Sequence, residues 1–256
     1  MKRIWQIGNI LALIFALAAN FAVSAQLLDL PAINEISDKY ATYLTPATYA
    51  FSIWSLIYLL LIVFVIYQAR DIIHPRAEND LPSKTGPYFI IASICNGLWT
   101  YVFVNEAVGL SVAILLILTA ALYALLARLQ IALLDVPKKT IVCVWWPLLL
   151  YTGWVTVATV VNIASLLESL GIEIAPWAAA VTLIILAIGL VALLIKRNVR
   201  ELLLASTWGI LAIGMQQLQP AGNDLVATTA LLISGLLLVA VAIHAYKNKV
   251  APKRAS

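Results

Sequence analysis

Charge is scarce in this chain: 11% of its 256 residues are Asp, Glu, Lys or Arg. Soluble domains carry about a quarter, so a water-facing shell around an ordinary core is excluded. Histidine is nearly absent, with His74 and His244 alone, and no acid or thiol cluster joins them, which argues against a dedicated metal site. The two cysteines, Cys95 and Cys143, lie inside apolar runs. They read as small buried hydrophobes rather than a disulfide. No Asn-x-Ser/Thr sequon occurs. What fills the chain is apolar, with 63% hydrophobic residues and a mean hydropathy of +0.99. That is the composition of an integral membrane protein.

A span needs roughly 20 apolar residues. Segments at about 4–25, 46–69, 86–106, 108–128, 140–166, 175–195, 201–219 and 225–246 meet or approach that length. The expected fold class is therefore all-α, a polytopic transmembrane helix bundle of about eight spans. The first segment has a second reading as a signal peptide, since Lys2 and Arg3 precede it and Val23-Ser24-Ala25 resembles a cleavage site.

The net charge of +4 does not point to nucleic acid, because of where the cations fall. Of the 16 basic residues, only Lys39 lies in the loops after the odd-numbered spans. Those loops carry Asp29, Glu35, Asp38, Glu106, Glu168, Glu173 and Asp224 instead. Orientation follows the lysine and arginine bias, so a plasma or inner membrane protein with both termini cytoplasmic is expected. The outer segment of about 26–45 is long and polar in its middle, and reads equally as a lid or a tether.

Within the spans, chemistry is thin. No ionisable residue sits deep in one, which argues against an ion-coupled transporter, and no mid-span lysine could carry a Schiff base. No acid–base or nucleophile–base pair is visible, which argues against an enzyme. Polar aromatics are present instead. In Y-T-G-W-V-T-V-A-T-V-V-N, helical spacing puts Tyr151, Trp154, Ala158 and Asn162 on one face. Lipid cannot satisfy such groups, so this face is either packing between helices or the wall of a binding cavity. T-P-A-T-Y-A-F-S-I-W-S-L-I-Y puts Trp54 and Tyr58 on one face after Pro46. C-N-G-L-W-T-Y-V-F does the same for Asn96, Trp99 and Phe103, with Gly97 permitting close helix approach.

Together these three motifs resemble the tryptophan-rich sensory protein family, also called the translocator protein or TspO/MBR family. Its second helix carries P-P-x-x-x-F-x-x-x-W-x-x-L-Y, its third L-N-x-x-W-s-x-x-F-F, and its fifth P-Y-x-x-W-x-x-x-A-x-x-x-N. The sequence departs at Thr45, where the family has proline, at Ala50, where it has the phenylalanine that here stands at Phe51, and at Leu150. The resemblance covers about residues 1–168 and implies a five-helix core, followed by three additional helices in 169–256. It implies a ligand site at Pro46, Trp54, Tyr58, Asn96, Trp99, Tyr151, Trp154, Ala158 and Asn162, capped by the first loop. The implied ligand is a hydrophobic molecule, a porphyrin, haem or sterol. Light-dependent porphyrin breakdown is a further extension of the resemblance. The implied partners are membrane lipid and that small molecule, with a homodimer left open. The competing class is a facilitator for a small lipophilic or zwitterionic solute, using Gln216, Gln217 and Asn162 as polar points.

Overall fold

A computed structural model describes residues 2–73 and 80–250. His74 and three of the 16 basic residues, Arg76, Lys253 and Arg254, lie outside them. Among the described residues every regular element is a helix. Its elements are α1 (Lys2–Ser24), α2 (Ile33–Lys39), a 3₁₀ turn (Thr48–Ser52) running into α3 (Ile53–Ile73), α4 (Leu81–Val104) and α5 (Val108–Arg128). After these come α6 (Lys138–Thr140), a π-helical turn (Ile141–Trp145), α7 (Trp146–Ser169), α8 (Pro176–Lys196), α9 (Arg200–Gln217) and α10 (Asp224–Val250).

Seven of these helices are long and apolar enough to cross a membrane. The eighth expected segment, α9, is helical but opens on Arg200-Glu201 and ends on Gln216-Gln217, with Ser206, Thr207, Gly209 and Gly214 between. Its modest hydropathy has a packing reason. Most of its residues, from Leu202 to Gln217, are buried against α7 and α10, while Leu204 and Met215 stay exposed, so protein covers most of its surface. Contacts of α9 climb α7 in order. The Leu202 carbonyl meets Gly153, Gly209 meets Val157, and Gln216 and Gln217 share a cavity wall with Glu168. At 1.5 Å per residue its 18 residues extend about 27 Å, nearly the thickness of a hydrocarbon core.

Helix α1 is fixed by amides that lipid could not satisfy. Gln6, Asn9, Leu13, Ala16 and Asn20 recur at three- and four-residue steps and are buried. Asn9 Nδ2 donates to Gln68 Oε1 at 2.8 Å, and Gln6 Nε2 donates to the Gln68 carbonyl at 2.9 Å. Asn20 Nδ2 donates to Asn96 Oδ1 at 3.0 Å. At the crossing with α4, a Cβ on Gly97 would fall 2.7 Å from the Phe15 ring and 3.3 Å from the Ala16 Cα. Gly97 thus serves the α1–α4 contact.

Two prolines shape the helix ends. Gly86 at φ +48° kinks α4 just before Pro87, where a ring without an N–H restarts the helix. Pro147 follows the π-helical turn, which absorbs the carbonyl its ring displaces.

Candidate ligand-binding site

The site is assembled where α3, α4 and α7 converge beneath the first loop. Trp54 comes from α3, Trp99 and Phe103 from α4, and Trp154, Ala158 and Asn162 from α7. Together with Pro46, Phe51 and Ser37 they line one cavity. Trp54 and Trp154 meet edge to face, with ring centroids 6.2 Å apart and planes at 85°. Phe51 meets Trp154 in the same manner at 6.2 Å. Trp99 stacks on Phe103 at 5.3 Å. The 3₁₀ turn carries Phe51 into this wall. Its winding of about 120° per residue, against 100° in an α-helix, is the local departure at the point where phenylalanine is displaced by one position.

Of the nine candidate residues, six line the cavity: Pro46, Trp54, Trp99, Trp154, Ala158 and Asn162. Tyr58, Asn96 and Tyr151 stand behind it. Tyr58 stacks on Trp54 at 5.2 Å and donates its hydroxyl proton to Asn96 Oδ1 at 3.1 Å. Tyr151 is fully buried, and its ring meets Trp54 at 6.0 Å. This outer ring of contacts fixes the Trp54 plane.

Hydrogen bonding divides the three indoles. Trp99 Nε1–H donates to Asn162 Oδ1 at 2.8 Å. Asn162 Nδ2 donates to Ser111 Oγ at 3.1 Å, and Ser111 donates to the Val108 carbonyl at 2.7 Å. Asn162 therefore holds Trp99 and is anchored to α5. The Nε1–H groups of Trp54 and Trp154 are buried with no hydrogen-bond partner, and Asn96 Nδ2 shares that state. A buried unsatisfied donor costs about 1–3 kcal/mol, so two in one aromatic cluster mark a place suited to an acceptor.

The cavity is small, about 30 Å³, whereas drug-sized ligands occupy roughly 300 Å³ or more. A groove of about 800 Å³ adjoins it between α1, α2 and α3, lined by Leu17, Asn20, Phe21, Ile33 and Tyr58. Phe51 and Trp54 belong to both linings. They stand between the small cavity and the larger groove.

The first loop lies over the cavity as a lid. Ile36 and Ser37 of α2 are buried, as are Leu44 and Thr45. Lys39 forms an ion pair with Glu106 in the α4–α5 turn, and the Tyr40 hydroxyl donates to the same carboxylate at 2.7 Å. Hydrogen bonds from Lys39 and then Tyr40 hold the Glu106 carboxyl below its ordinary range. The Glu106 carboxylate in turn raises the Lys39 ammonium and the Tyr40 hydroxyl. Burial raises the neighbouring Asp38 carboxyl. Helix α9 ties the lid from the other side. Ala47 N–H donates to the Ala212 carbonyl at 3.0 Å, and Trp208 Nε1–H donates to the Ala50 carbonyl at 3.0 Å.

Four lining positions were not among the motif-face residues: Ser37, Val157, Val161 and Ser165. Val157, Val161 and Ser165 follow Trp154, Ala158 and Asn162 by three residues and share their face, so helical spacing alone identifies them. Ser37 comes from the lid, and nothing in its local sequence marks it.

A helical bundle of this length and hydropathy, with buried amides on its spans and an aromatic cavity near the helix ends beneath the first loop, is a multi-pass membrane protein. The model of the family described as TSPO-like protein matches residues 6–243, and the chain belongs to that family. The match runs through α8, α9 and most of α10 as well as the first five long helices. No curated protein and no solved structure matches the chain.

Proposed function

We propose that the protein is a membrane-embedded binding protein, a sensor, for a flat hydrophobic ligand of the tetrapyrrole or sterol type. The observation that carries this is the pair of buried, unpartnered indole N–H groups of Trp54 and Trp154 beside a partition shared with an 800 Å³ groove. Aromatic walls take flat apolar faces, and a few donors fix orientation. In this reading the ligand enters the groove, displaces Phe51 and Trp54, and offers an acceptor to the freed donors. A porphyrin or haem has the flat face and, in its propionates, the acceptors. The ligand is bound and sensed, and no chemical step on it is assigned to the protein.

Titration of purified protein with protoporphyrin tests this through tryptophan fluorescence. Saturable quenching that Trp54→Ala or Trp154→Ala weakens tenfold or more is the expected result. Quenching unchanged in both variants would place the ligand elsewhere. The facilitator reading has one observation in its favour. Gln216 and Gln217 line a separate cavity of about 640 Å³ beside Glu168 and Glu173 at the lid end. Solute movement through reconstituted vesicles without porphyrin quenching would select it.

We also propose that the basic end of the bundle, with both termini, faces the cytoplasm. The lysine and arginine bias supports this. Single cysteines at exposed Glu35 and Ser83, in a protein with Cys95 and Cys143 replaced, test it. External labelling at position 83 and none at 35 would reverse the orientation.

A further inference from the structure

The cavity of about 640 Å³ at the lid end is walled by four separate pieces of chain. These are the end of the first loop, the α7–α8 turn, the last turn of α9 and the turn before α10. Glu168 and Glu173 put two carboxylates into the wall, and no lysine, arginine or histidine lines it. Neither carboxylate has an ion-pair or hydrogen-bond partner among the described residues. Lys39 is the one basic residue of the outer loops; it is paired with Glu106 and lies outside the lining. The other basic residues lie before the first expected span or after even-numbered ones. Helix α10 alone carries the chain about 40 Å from the cavity over its 27 residues. Uncompensated carboxylates around a recess focus a negative potential there. Glu168 stands in the last turn of α7, the negative end of that helix, where a carboxylate is disfavoured. Helix stability does not account for it.

Two buried donors belong to the same wall. Gln217 is 6% exposed, and its Oε1 accepts the Asn223 N–H at 3.1 Å. Its Nε2 has no hydrogen-bond partner among the described residues. Thr45 is 2% exposed and its Oγ1 accepts the Thr42 N–H at 2.8 Å, while its hydroxyl proton has no acceptor among the described residues. Both residues line the cavity. Gln217 is held in place by a tight turn: a Cβ on Gly222 would stand 2.1 Å from the Gln217 carbonyl oxygen. A buried donor without an acceptor is costly, so these two point to an incoming acceptor, as the carboxylates point to an incoming cation. A bare metal ion would answer the carboxylates and leave the donors stranded. An organic cation with an oxygen of its own answers both.

We propose that this cavity binds a small organic ammonium ion carrying a carbonyl or hydroxyl oxygen close to its charge. The ammonium donates charge-assisted hydrogen bonds to Glu168 and Glu173. The oxygen accepts from Gln217 Nε2 or the Thr45 hydroxyl, and the apolar remainder lies on Ile174 and Pro176, which line the same wall. The volume falls within the range of small-molecule sites. The site is separate from the aromatic cavity, and nothing in this proposal depends on the ligand assigned there. The facilitator reading draws on the same cavity, but the inference here concerns binding alone. Absence of transport leaves it standing.

Calorimetric titration of the full-length protein in detergent tests this at about pH 6, where an α-amino group is charged. Leucinamide supplies the ammonium, the carbonyl and an apolar side chain. Isocaproamide lacks the ammonium, and isoamylamine lacks the carbonyl. Saturable binding of one leucinamide is expected, at least tenfold tighter than isocaproamide and at least threefold tighter than isoamylamine. Glu168→Gln with Glu173→Gln should weaken it tenfold or more. Asp29→Asn with Glu35→Gln, which removes two exposed charges elsewhere at the lid end, should leave it within twofold. Equal loss in both double variants would reduce the effect to general surface charge and overturn the site. Leucinamide bound no more tightly than isocaproamide would overturn the ammonium assignment, and parity with isoamylamine would overturn the role of the donors. Competition by magnesium at matched ionic strength would make the carboxylates a metal site instead. Should the first double variant fail to fold, the wild-type comparison of the three probes and magnesium still decides.

Discussion

The indole N–H of Trp99 donates to the side-chain oxygen of Asn162, 2.8 Å away, and this bond crosses from α4 to α7 in the wall of the cavity. Asn162 is 3% exposed and its amide nitrogen is already engaged by Ser111. Its role in this arrangement is to position Trp99. Asn162→Ala strands the Trp99 donor, which should lower stability by about 1–3 kcal/mol. Thermal unfolding in detergent reads this, and ligand affinity should change less than threefold. A large affinity loss at unchanged stability would instead make Asn162 a ligand contact.

Trp54 and Trp154 should behave in the opposite sense. Replacing either by Phe keeps a ring and removes an unpaired buried N–H. The free protein should gain up to about 1 kcal/mol of stability, since the orphaned donor disappears. Affinity for a ligand bearing an acceptor should fall, and affinity for a purely hydrocarbon ligand should not. Stability up with affinity down is the signature of a group kept for binding. Paired unfolding and fluorescence titrations distinguish it from a packing role, in which both would fall.

How much of this was legible in the sequence follows from the physics of each feature. Trp54, Trp99, Trp154 and Asn162 could be grouped because helical spacing and depth within a span are readable from one strand of text. Their convergence on one cavity agrees with that spacing. The bonding inside the group was not legible. Ser111 sits in an unremarkable stretch of α5, and only the α5–α7 packing brings it to Asn162. The character of α9 was also hidden. A helix sheathed by protein needs little apolar surface, so hydropathy understates it. Gly153 was visible within Y-T-G-W, yet its neighbour Leu202 is 49 residues on and carries no motif.

The lid latch carries a pH dependence of defined sign. Glu106 is held below its ordinary range by the hydrogen bonds from Lys39 and Tyr40. Its contribution is therefore present above the ordinary glutamate pKa and is lost as pH falls through the lowered value. Lys39 is raised, so its share is present below the ordinary lysine pKa and is lost as pH rises through the raised value. The latch is intact between those limits. Hydrogen exchange of the peptide covering 33–45 should quicken in strong acid relative to a reference peptide from α5. Glu106→Gln should show the quickened rate already at pH 7, and high salt should narrow the difference because the pair is surface-exposed. An acid response equal in wild type and Glu106→Gln would remove the latch as its cause.

The strongest packing prediction concerns Gly153. A Cβ placed there would stand 2.1 Å from the carbonyl oxygen of Leu202 and 2.9 Å from its carbon. Backbone cannot move aside as a side-chain tip can, so α9 must shift bodily. The same glycine's carbonyl accepts the Ser206 hydroxyl proton at 2.9 Å, and that bond would go with the shift. Gly153→Ala should therefore destabilise by roughly 1–3 kcal/mol or more, although alanine is the better helix former. Gly189 in α8 is the control, with nothing within 4 Å of its Cβ position. Gly189→Ala should be neutral or stabilising by up to about 1 kcal/mol. Because α9 also anchors the lid through Ala212 and Trp208, Gly153→Ala should quicken exchange at Ala47 and Ala50 as well. If unfolding and exchange match wild type, the α7–α9 contact is looser than described, and α9 is not what fixes the lid.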